Sequence, residues 1–178
     1  MTFLPILSLD ELSSEAKAAR EDHLARYGGP LTTLESALLG NVPSFVAYAQ
    51  WYALKDDLVQ WIGERAFTLF CYSISEASQC ENTTLYFGRV LIDAGDDPRT
   101  PEVTEAEHLL MEWGRLLAMT PNDIPDAVYA KLEQTFGPAR RVTLLAFAGQ
   151  MLATNLLNSA GRVPLDPALR PCQPTAQD

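Results

Sequence analysis

Basic residues are scarce in this chain, and the shortage argues against one large class of function. The 178 residues include 13 Lys or Arg against 23 Asp or Glu, which gives a formal net charge of -10. Proteins that bind nucleic acids neutralise phosphates with clustered Lys and Arg side chains. The only basic doublet is Arg140-Arg141, at the start of an apolar helical pattern. We therefore expect no nucleic-acid partner.

Cysteine is also scarce, and the three cysteines have no regular spacing. Small secreted domains usually carry an even number of cysteines in a disulfide framework, so this odd count favours a reducing compartment. The opening segment MTFLPILSLDEL has no basic stretch and reaches acidic residues at once, unlike a signal peptide. These features predict a cytoplasmic protein.

Charge is absent from residues 142–161, a stretch long enough to raise the question of a membrane span. The stretch contains Gln150, Asn155 and Asn158, however, and these polar side chains favour a helix buried in a bundle. We expect no membrane partner. His108 has no Cys, His or Asp partners at ligand spacing, so we also expect no metal and no other cofactor.

Apolar residues at helical spacing and signals for helix starts occur along most of the sequence. With 47% apolar residues, the length suits one domain with a sizeable core. We predict an all-α bundle of about eight helices in residues 1–167, followed by a Pro-rich tail in residues 168–178. The predicted helix starts are Ser13 or Ser14, Thr33, Pro43, Asp56 or Asp57, Ser78 and Thr104, the last with Glu107 in a capping box. His23 lies among charged residues and is interpreted as solvated surface.

Residues 79–95 form the stretch around which we expect the chain to be organised. Ser78 and Glu81 have the S-x-x-E spacing of a capping box, which predicts that a helix begins there. Cys80 would then lie in the first turn, where unpaired N–H groups favour a thiolate. Two interpretations of Cys80 remain open, a reactive thiol and a small buried apolar residue.

Two further patterns each allow two interpretations. Tyr72 and Glu76 follow Thr68 at helical spacing, so Glu76 is either an acid that faces the same cavity as Cys80 or a solvated residue near the helix end. Asn155 and Asn158 lie three residues apart on one helix face. They either join neighbouring helices by hydrogen bonds or line a polar pocket.

The stretch from Cys80 to Gly95 resembles the core motif of the AhpD-like, or carboxymuconolactone decarboxylase-like, superfamily. That motif is C-x-x-C-x-x-x-H, with a glycine fifteen positions after the first Cys. In this sequence Thr83 replaces the second Cys and Phe87 replaces the His, while Thr68 stands where the peroxidases of the family carry a Glu. The C-terminal half is similar to the peroxidase-related branch in its N-x-x-N spacing.

The resemblance implies an AhpD-like helical bundle that assembles as a homo-oligomer. It also implies an enzyme acting on a small organic molecule or a hydroperoxide in an interhelical pocket, with the dithiol peroxidase cycle lost. Cys80 and Glu76 would be catalytic, and the substrate pocket would include Thr68, Tyr72, Thr83, Phe87 and Asn155. A one-Cys peroxidase would need an external thiol reductant.

Other functions stay open beside this one. A divergent decarboxylase or lyase-like activity is one of them, and a catalytically silent member that binds a ligand or serves in an assembly is another. A third is the ligand-binding part of a regulator, although no basic helix-turn-helix segment supports it. Replacement of Cys and His by Thr83 and Phe87 makes the expected pocket more apolar, which suits a hydrophobic or aromatic small molecule.

Overall fold

The computed structural model describes residues 2–172, which form eight α-helices and one short 3-10 helix, without a strand. The all-α prediction is confirmed. In chain order the helices are α1 (Ser14–Tyr27), α2 (Thr33–Leu38), α3 (Val42–Ala49), α4 (Tyr52–Ala77), α5 (Glu81–Asp93), α6 (Glu105–Met119), α7 (Asp126–Thr135) and α8 (Pro138–Ala160). The 3-10 helix is Pro167–Cys172.

Helix α4 is the centre of the bundle, because it packs against α5, α6 and α8. Its residues Phe70 and Ile74 are fully buried. Phe70 stacks on Trp113 of α6 with 5.9 Å between the ring centroids, and the main apolar core joins α4 to α6, α7 and α8. The element around which the chain is organised is therefore α4 rather than α5, which covers one side of it.

A second apolar cluster lies between the first three helices. Leu34 of α2 and Phe45 of α3 are buried in it, together with Val163 from the segment after α8. The N-terminal segment reaches the same end of the bundle, where the backbone N–H groups of Phe3 and Leu4 both donate to the Gly161 carbonyl at 3.1 Å. The first three helices are thereby attached to the end of α8.

Most helix starts agree with the prediction, because each has its own local signal. The Ser13 hydroxyl caps α1, Pro43 lies in the first turn of α3, and Thr104 with Glu107 forms the predicted capping box of α6. Helix α4 differs, since it begins at Tyr52, before the predicted Asp56 or Asp57, and has no side-chain cap. It continues so directly from α3 that its start carries no separate signal.

The predicted capping box of Ser78 and Glu81 is wrong. The Ser78 hydroxyl instead donates to the Ile74 carbonyl at 2.7 Å, within the last turn of α4. Gln79 then takes a positive φ of 54°, which turns the chain out of α4. Cys80, in extended backbone, is the residue before α5. Its sulfur therefore precedes the first turn instead of lying in it.

The predicted tail begins inside the 3-10 helix, which packs against α5 and buries Leu169. The part of the predicted tail at residues 173–178 lies outside the described residues. No helix in residues 2–172 is long and apolar enough to cross a membrane.

Helix α8 is buried on one side only. Leu144 and Phe147 are enclosed in the main core. Val142, Leu145 and Leu156 lie on another face and are largely exposed, Val142 by 69% and Leu156 by 66%. The uncharged stretch thus packs one face into the bundle, as expected, and has an apolar surface in addition to it.

Helix α4 bends at Gly63, which has φ 82° and ψ 159°. This region of backbone conformation is open almost only to glycine. The bend separates an N-terminal part that begins at Tyr52 from the buried C-terminal part that ends at Ala77.

A close approach of α4 and α6 generates the first prediction. A Cβ atom added at Gly114 of α6 would lie 2.7 Å from Ser73 Oγ and 3.0 Å from a side-chain carbon of Ile74. We expect Gly114→Ala to lower the free energy of unfolding by about 1–3 kcal/mol, because the two helices must move apart. Urea denaturation followed by circular dichroism measures this change.

The matched control is Gly149→Ala in α8, where an added Cβ would meet no atom within 4 Å. This substitution should raise the free energy of unfolding by about 0.5–1 kcal/mol through helix propensity alone. Equal effects of the two substitutions would contradict the close packing of α4 on α6.

Candidate functional site

A cavity of about 160 Å³ opens between helices α2, α3, α4, α5 and α8. Six aromatic rings line it, namely Tyr48, Tyr52, Phe67, Tyr86, Phe87 and Phe147. An apolar cavity of about 150 Å³ in another protein holds one benzene molecule. This cavity therefore has the size and the wall of a site for a single-ring or similarly small organic molecule.

A buried carboxylate lies directly behind one wall of this cavity. Glu35 is only 3% exposed. Its Oε2 accepts from the Thr32 backbone N–H at 2.7 Å and from the Thr32 hydroxyl at 2.9 Å, which forms the capping box of α2. Its Oε1 accepts a short hydrogen bond from the Tyr52 hydroxyl. Since Tyr52 lines the cavity, Glu35 fixes the position of that part of the wall.

His23 of α1 completes this cluster. Its Nε2 lies 3.4 Å from Glu35 Oε1, and its ring is packed against Tyr27, Phe45 and Tyr52 at centroid distances of 4.8, 5.2 and 5.7 Å. The interpretation of His23 as solvated surface is wrong. Its charged sequence neighbours lie on the outer face of α1, whereas His23 points toward α3 and α4.

Three tyrosine hydroxyls at the cavity have raised pKa values, and for Tyr86 the main cause is burial. Burial, followed by the Glu35 charge, raises the pKa of Tyr52 far above its ordinary value. Burial also raises the pKa of Tyr48 from 10.0 to about 12, although the hydrogen bond with Thr154 acts in the opposite direction. Both phenols therefore keep their protons at neutral pH.

Amide and hydroxyl side chains join α5 to α8 at the opposite wall. The Thr83 hydroxyl donates to Asn155 Oδ1 at 2.6 Å, and Asn82 Nδ2 donates to Asn158 Oδ1 at 3.0 Å. Both asparagines of the N-x-x-N pattern thus link neighbouring helices, which was one of the two alternatives. Asn158 also lines the cavity, so the second alternative holds for this residue as well.

Gln150 is the polar residue of the wall whose hydrogen bonding is incomplete. It lines the cavity and is only 5% exposed. Its side-chain oxygen Oε1 has no hydrogen-bond partner among the described residues. It is one of six buried side-chain polar atoms without a partner among the described residues, and of these six residues only Gln150 lines the cavity.

The structure separates the predicted site residues into two groups. Thr83 and Phe87 line the cavity, and Asn155 lies behind Thr83 as its hydrogen-bond acceptor. Thr68 is buried, does not line the cavity, and donates its hydroxyl to the Glu64 carbonyl at 2.8 Å within α4. The first group is brought together by the contact between α5 and α8.

The predicted catalytic residues lie apart from this cavity. Glu76 is exposed and accepts a hydrogen bond from the Tyr72 hydroxyl at 3.3 Å, and neither residue lines the cavity. Cys80 is 2% exposed and does not line it either. The side chains of Cys80 and Glu76 therefore do not meet in this space.

Cys71 and Cys80 are both buried free thiols and form no disulfide with each other. Burial raises the pKa of Cys71 well above its ordinary value, which makes it a packing residue. No group of three or more His, Cys, Asp or Glu side chains in residues 2–172 is placed to hold a metal ion.

Glu35, Tyr52 and Gln150 are among the residues of the site that were not predicted from the sequence. A signal existed for Glu35, because Thr32 and Glu35 have the T-x-x-E spacing of a capping box. That spacing predicts a helix start and does not predict that Tyr52, seventeen residues later, donates to the same carboxylate.

Comparison with known proteins identified no relative of this chain. No family model, no curated protein and no solved structure matches it. The resemblance to the AhpD-like superfamily therefore depends on the residues of the motif alone.

The buried tyrosines generate a prediction about alkaline stability. Below pH 10 Tyr48 is protonated in both the folded and the unfolded chain. Between pH 10 and about 12 only the unfolded chain loses this proton, so the stability contributed by Tyr48 falls as the pH rises. From pH 8 to pH 11 the unfolding free energy of both chains should fall. The fall should be about 1 kcal/mol smaller in Tyr48→Phe than in the unsubstituted chain.

Urea denaturation at the two pH values measures this difference, and the change between them removes the constant effect of the lost Thr154 hydrogen bond. Tyr129→Phe is the control, because Tyr129 is an exposed ring on α7. It should lose as much stability as the unsubstituted chain. An identical loss in Tyr48→Phe would show that Tyr48 does not titrate as described.

Proposed function

We propose that this protein binds a small, largely apolar organic molecule in the cavity between α2, α3, α4, α5 and α8. The observation that carries the proposal is the cavity of about 160 Å³ itself, whose wall contains six aromatic rings. Ligand sites in proteins combine apolar walls with a few polar groups that orient the ligand.

We also propose that the chain is a divergent member of the AhpD-like superfamily with a changed pocket. The all-α fold and the left-handed Gly95 after α5 support this relationship. Thr83 and Phe87, which stand at the positions of the second Cys and the His, both line the cavity. The changed residues thus lie where a different ligand would be recognised.

Thiol chemistry is not part of this proposal. Cys80 is buried, lies outside the cavity wall and has Thr83 where a resolving thiol would stand. The alternative of a catalytically silent, ligand-binding member is therefore better supported than a one-Cys peroxidase. A reducing, cytoplasmic location is consistent with the free thiols of Cys71 and Cys80.

Assembly as a homo-oligomer forms a further part of the proposal. Val142, Leu145 and Leu156 form an exposed apolar stripe on α8, within a segment that carries no charge. Two copies with a net charge of -10 each repel one another, and an uncharged contact surface adds no close pair of like charges to this repulsion. The stripe suits a self-complementary contact between copies.

Cavity filling tests the binding proposal. Met151 lines the cavity and is buried, so Met151→Trp should place a larger side chain in the space that a ligand would occupy. Thermal unfolding with a panel of aromatic acids, lactones and other single-ring compounds is the measurement. A ligand at a hundred times its Kd should raise the Tm of the unsubstituted chain by about 5–10 °C, and should leave that of Met151→Trp unchanged.

The matched control is Met119→Trp, at an exposed methionine near the end of α6. This variant should respond to the ligand like the unsubstituted chain. The proposal fails if no compound of the panel raises the Tm, or if Met151→Trp keeps the full response.

Charge placed on the α8 stripe tests the assembly. The double substitution Leu145→Lys and Leu156→Lys should yield monomers, because each copy would bring two positive charges into the contact. Light scattering coupled to size-exclusion chromatography measures the mass. Met119→Lys, a charge at an exposed apolar residue outside the stripe, should keep the oligomer. A monomeric unsubstituted chain would contradict the proposed assembly.

A further inference from the structure

Gly149 lies in the middle of the exposed face of α8, and nothing within its own chain requires a glycine there. Its backbone is helical, so no left-handed conformation calls for glycine. A Cβ atom added at this position would meet no atom within 4 Å. Glycine inside a helix is less favourable than alanine, and one of its uses is to let another backbone come close. Gly149 therefore suits a helix that approaches from outside this chain.

The apolar residues around Gly149 are arranged symmetrically, each with a counterpart at the same sequence distance on the other side. The pairs are Val142 with Leu156, Leu145 with Ala153, and Ala146 with Leu152. Leu152 and Ala153 are half-buried, and the other four are exposed. When two copies of α8 lie antiparallel with their glycines in contact, Leu145 and Leu152 of one helix face alanines of the other. Large side chains then meet small ones, which packs two surfaces without voids.

The same face has the spacing and the lack of charge of a helix–helix contact. Positions 142, 145, 149, 152 and 156 alternate steps of three and four residues, as in two helices that pack along a common seam. No charged residue occurs in residues 142–161, so a second copy brings no like charges into the contact. Because the order of large and small residues matches itself when reversed, a second copy of this chain is the partner that fits it.

A groove between α7 and α8 lies beside one end of this face. Val142, Leu145 and Tyr129 line the groove, and all three are exposed. In the antiparallel arrangement, Leu156 of the second copy comes level with Val142, at this groove. Leu156 is 66% exposed in the single chain. The groove thus offers an apolar place for a side chain that has none within its own chain.

We infer that two copies of this chain bind through antiparallel α8 helices that cross at Gly149, with Leu156 of each copy against the α7–α8 groove of the other. This inference rests on the proposed assembly, because it names the arrangement of the same surface. The contact uses the same patch on both copies, so it closes after two chains and gives a twofold dimer.

Cysteines placed on this face of α8 test the arrangement by disulfide formation in the full chain. The background is Cys172→Ser, since Cys71 and Cys80 are buried. In the antiparallel contact, position 145 of one copy faces position 153 of the other, whereas the two copies of position 145 lie about 12 Å apart along the helix axis. A disulfide needs Cα atoms within about 7 Å of each other.

An oxidised mixture of Leu145→Cys and Ala153→Cys should therefore form 145–153 disulfides, and neither variant should crosslink to itself. Mass spectrometry of the crosslinked peptides measures both outcomes. Gly149→Leu should weaken the dimer by at least about tenfold in sedimentation velocity, because leucine side chains would hold the two helices apart. Ala106→Leu is the matched control at an exposed alanine of α6 and should leave the Kd of the dimer unchanged.

The outcomes separate this arrangement from the proposed assembly. A monomeric unsubstituted chain overturns both. An oligomer that forms 145–145 or 153–153 disulfides, or that lacks the 145–153 disulfide, keeps the assembly and overturns the antiparallel contact. An unchanged dimer in Gly149→Leu overturns the crossing at Gly149, and the cysteine variants decide the matter even if Gly149→Leu fails to fold.

Discussion

The carboxylate of Glu35 is surrounded by protein on all sides, and a buried charge is stable only when nearby groups replace the water it has lost. Thr32 supplies two donors from the start of α2, and Tyr52 supplies one from the start of α4. His23 approaches from α1. Because the carboxylate needs these partners at the same time, the three helices have little freedom to move relative to one another. One wall of the cavity therefore has a defined position.

The other wall depends on neutral hydrogen bonds. Thr83 and Asn82 of α5 contact Asn155 and Asn158 of α8, and this contact keeps the two helices at a fixed distance. The cavity lies between the carboxylate cluster and these amide contacts. Apolar side chains such as Phe67 of α4 and Phe147 of α8 line the space between the carboxylate cluster and the amide contacts without filling it.

The sequence predicted those parts of the fold that depend on neighbouring residues. Ser13, Pro43 and Thr104 start helices through interactions within one turn, so their positions agree with the prediction. The box at Ser78 failed for a reason that is also local. A serine at the end of a helix can bond back to the carbonyl four residues earlier, here Ile74, and the spacing of letters does not distinguish the two arrangements.

The candidate site was harder to predict, because its residues meet only through the tertiary fold. The motif led to Thr83 and Phe87, which line the cavity, and also to Cys80 and Glu76, which do not. The direction in which Cys80 points depends on the turn at Gln79. The left-handed backbone of Gln79 has no clear signal in the sequence. Glu35 and Gln150 were missed since an isolated Glu or Gln is usually exposed.

The bend of α4 at Gly63 lies between two parts of the helix that both contribute to the wall of the cavity. Tyr52 and Lys55 line the cavity from the part before the bend, and Phe67 lines it from the part after. The space around the position of a Cβ at residue 63 is empty within 4 Å. A side chain at position 63 would therefore meet no neighbouring atom, and the requirement for glycine comes from its positive φ alone. The relative placement of Tyr52, Lys55 and Phe67 at the cavity thus depends on one residue without a side chain.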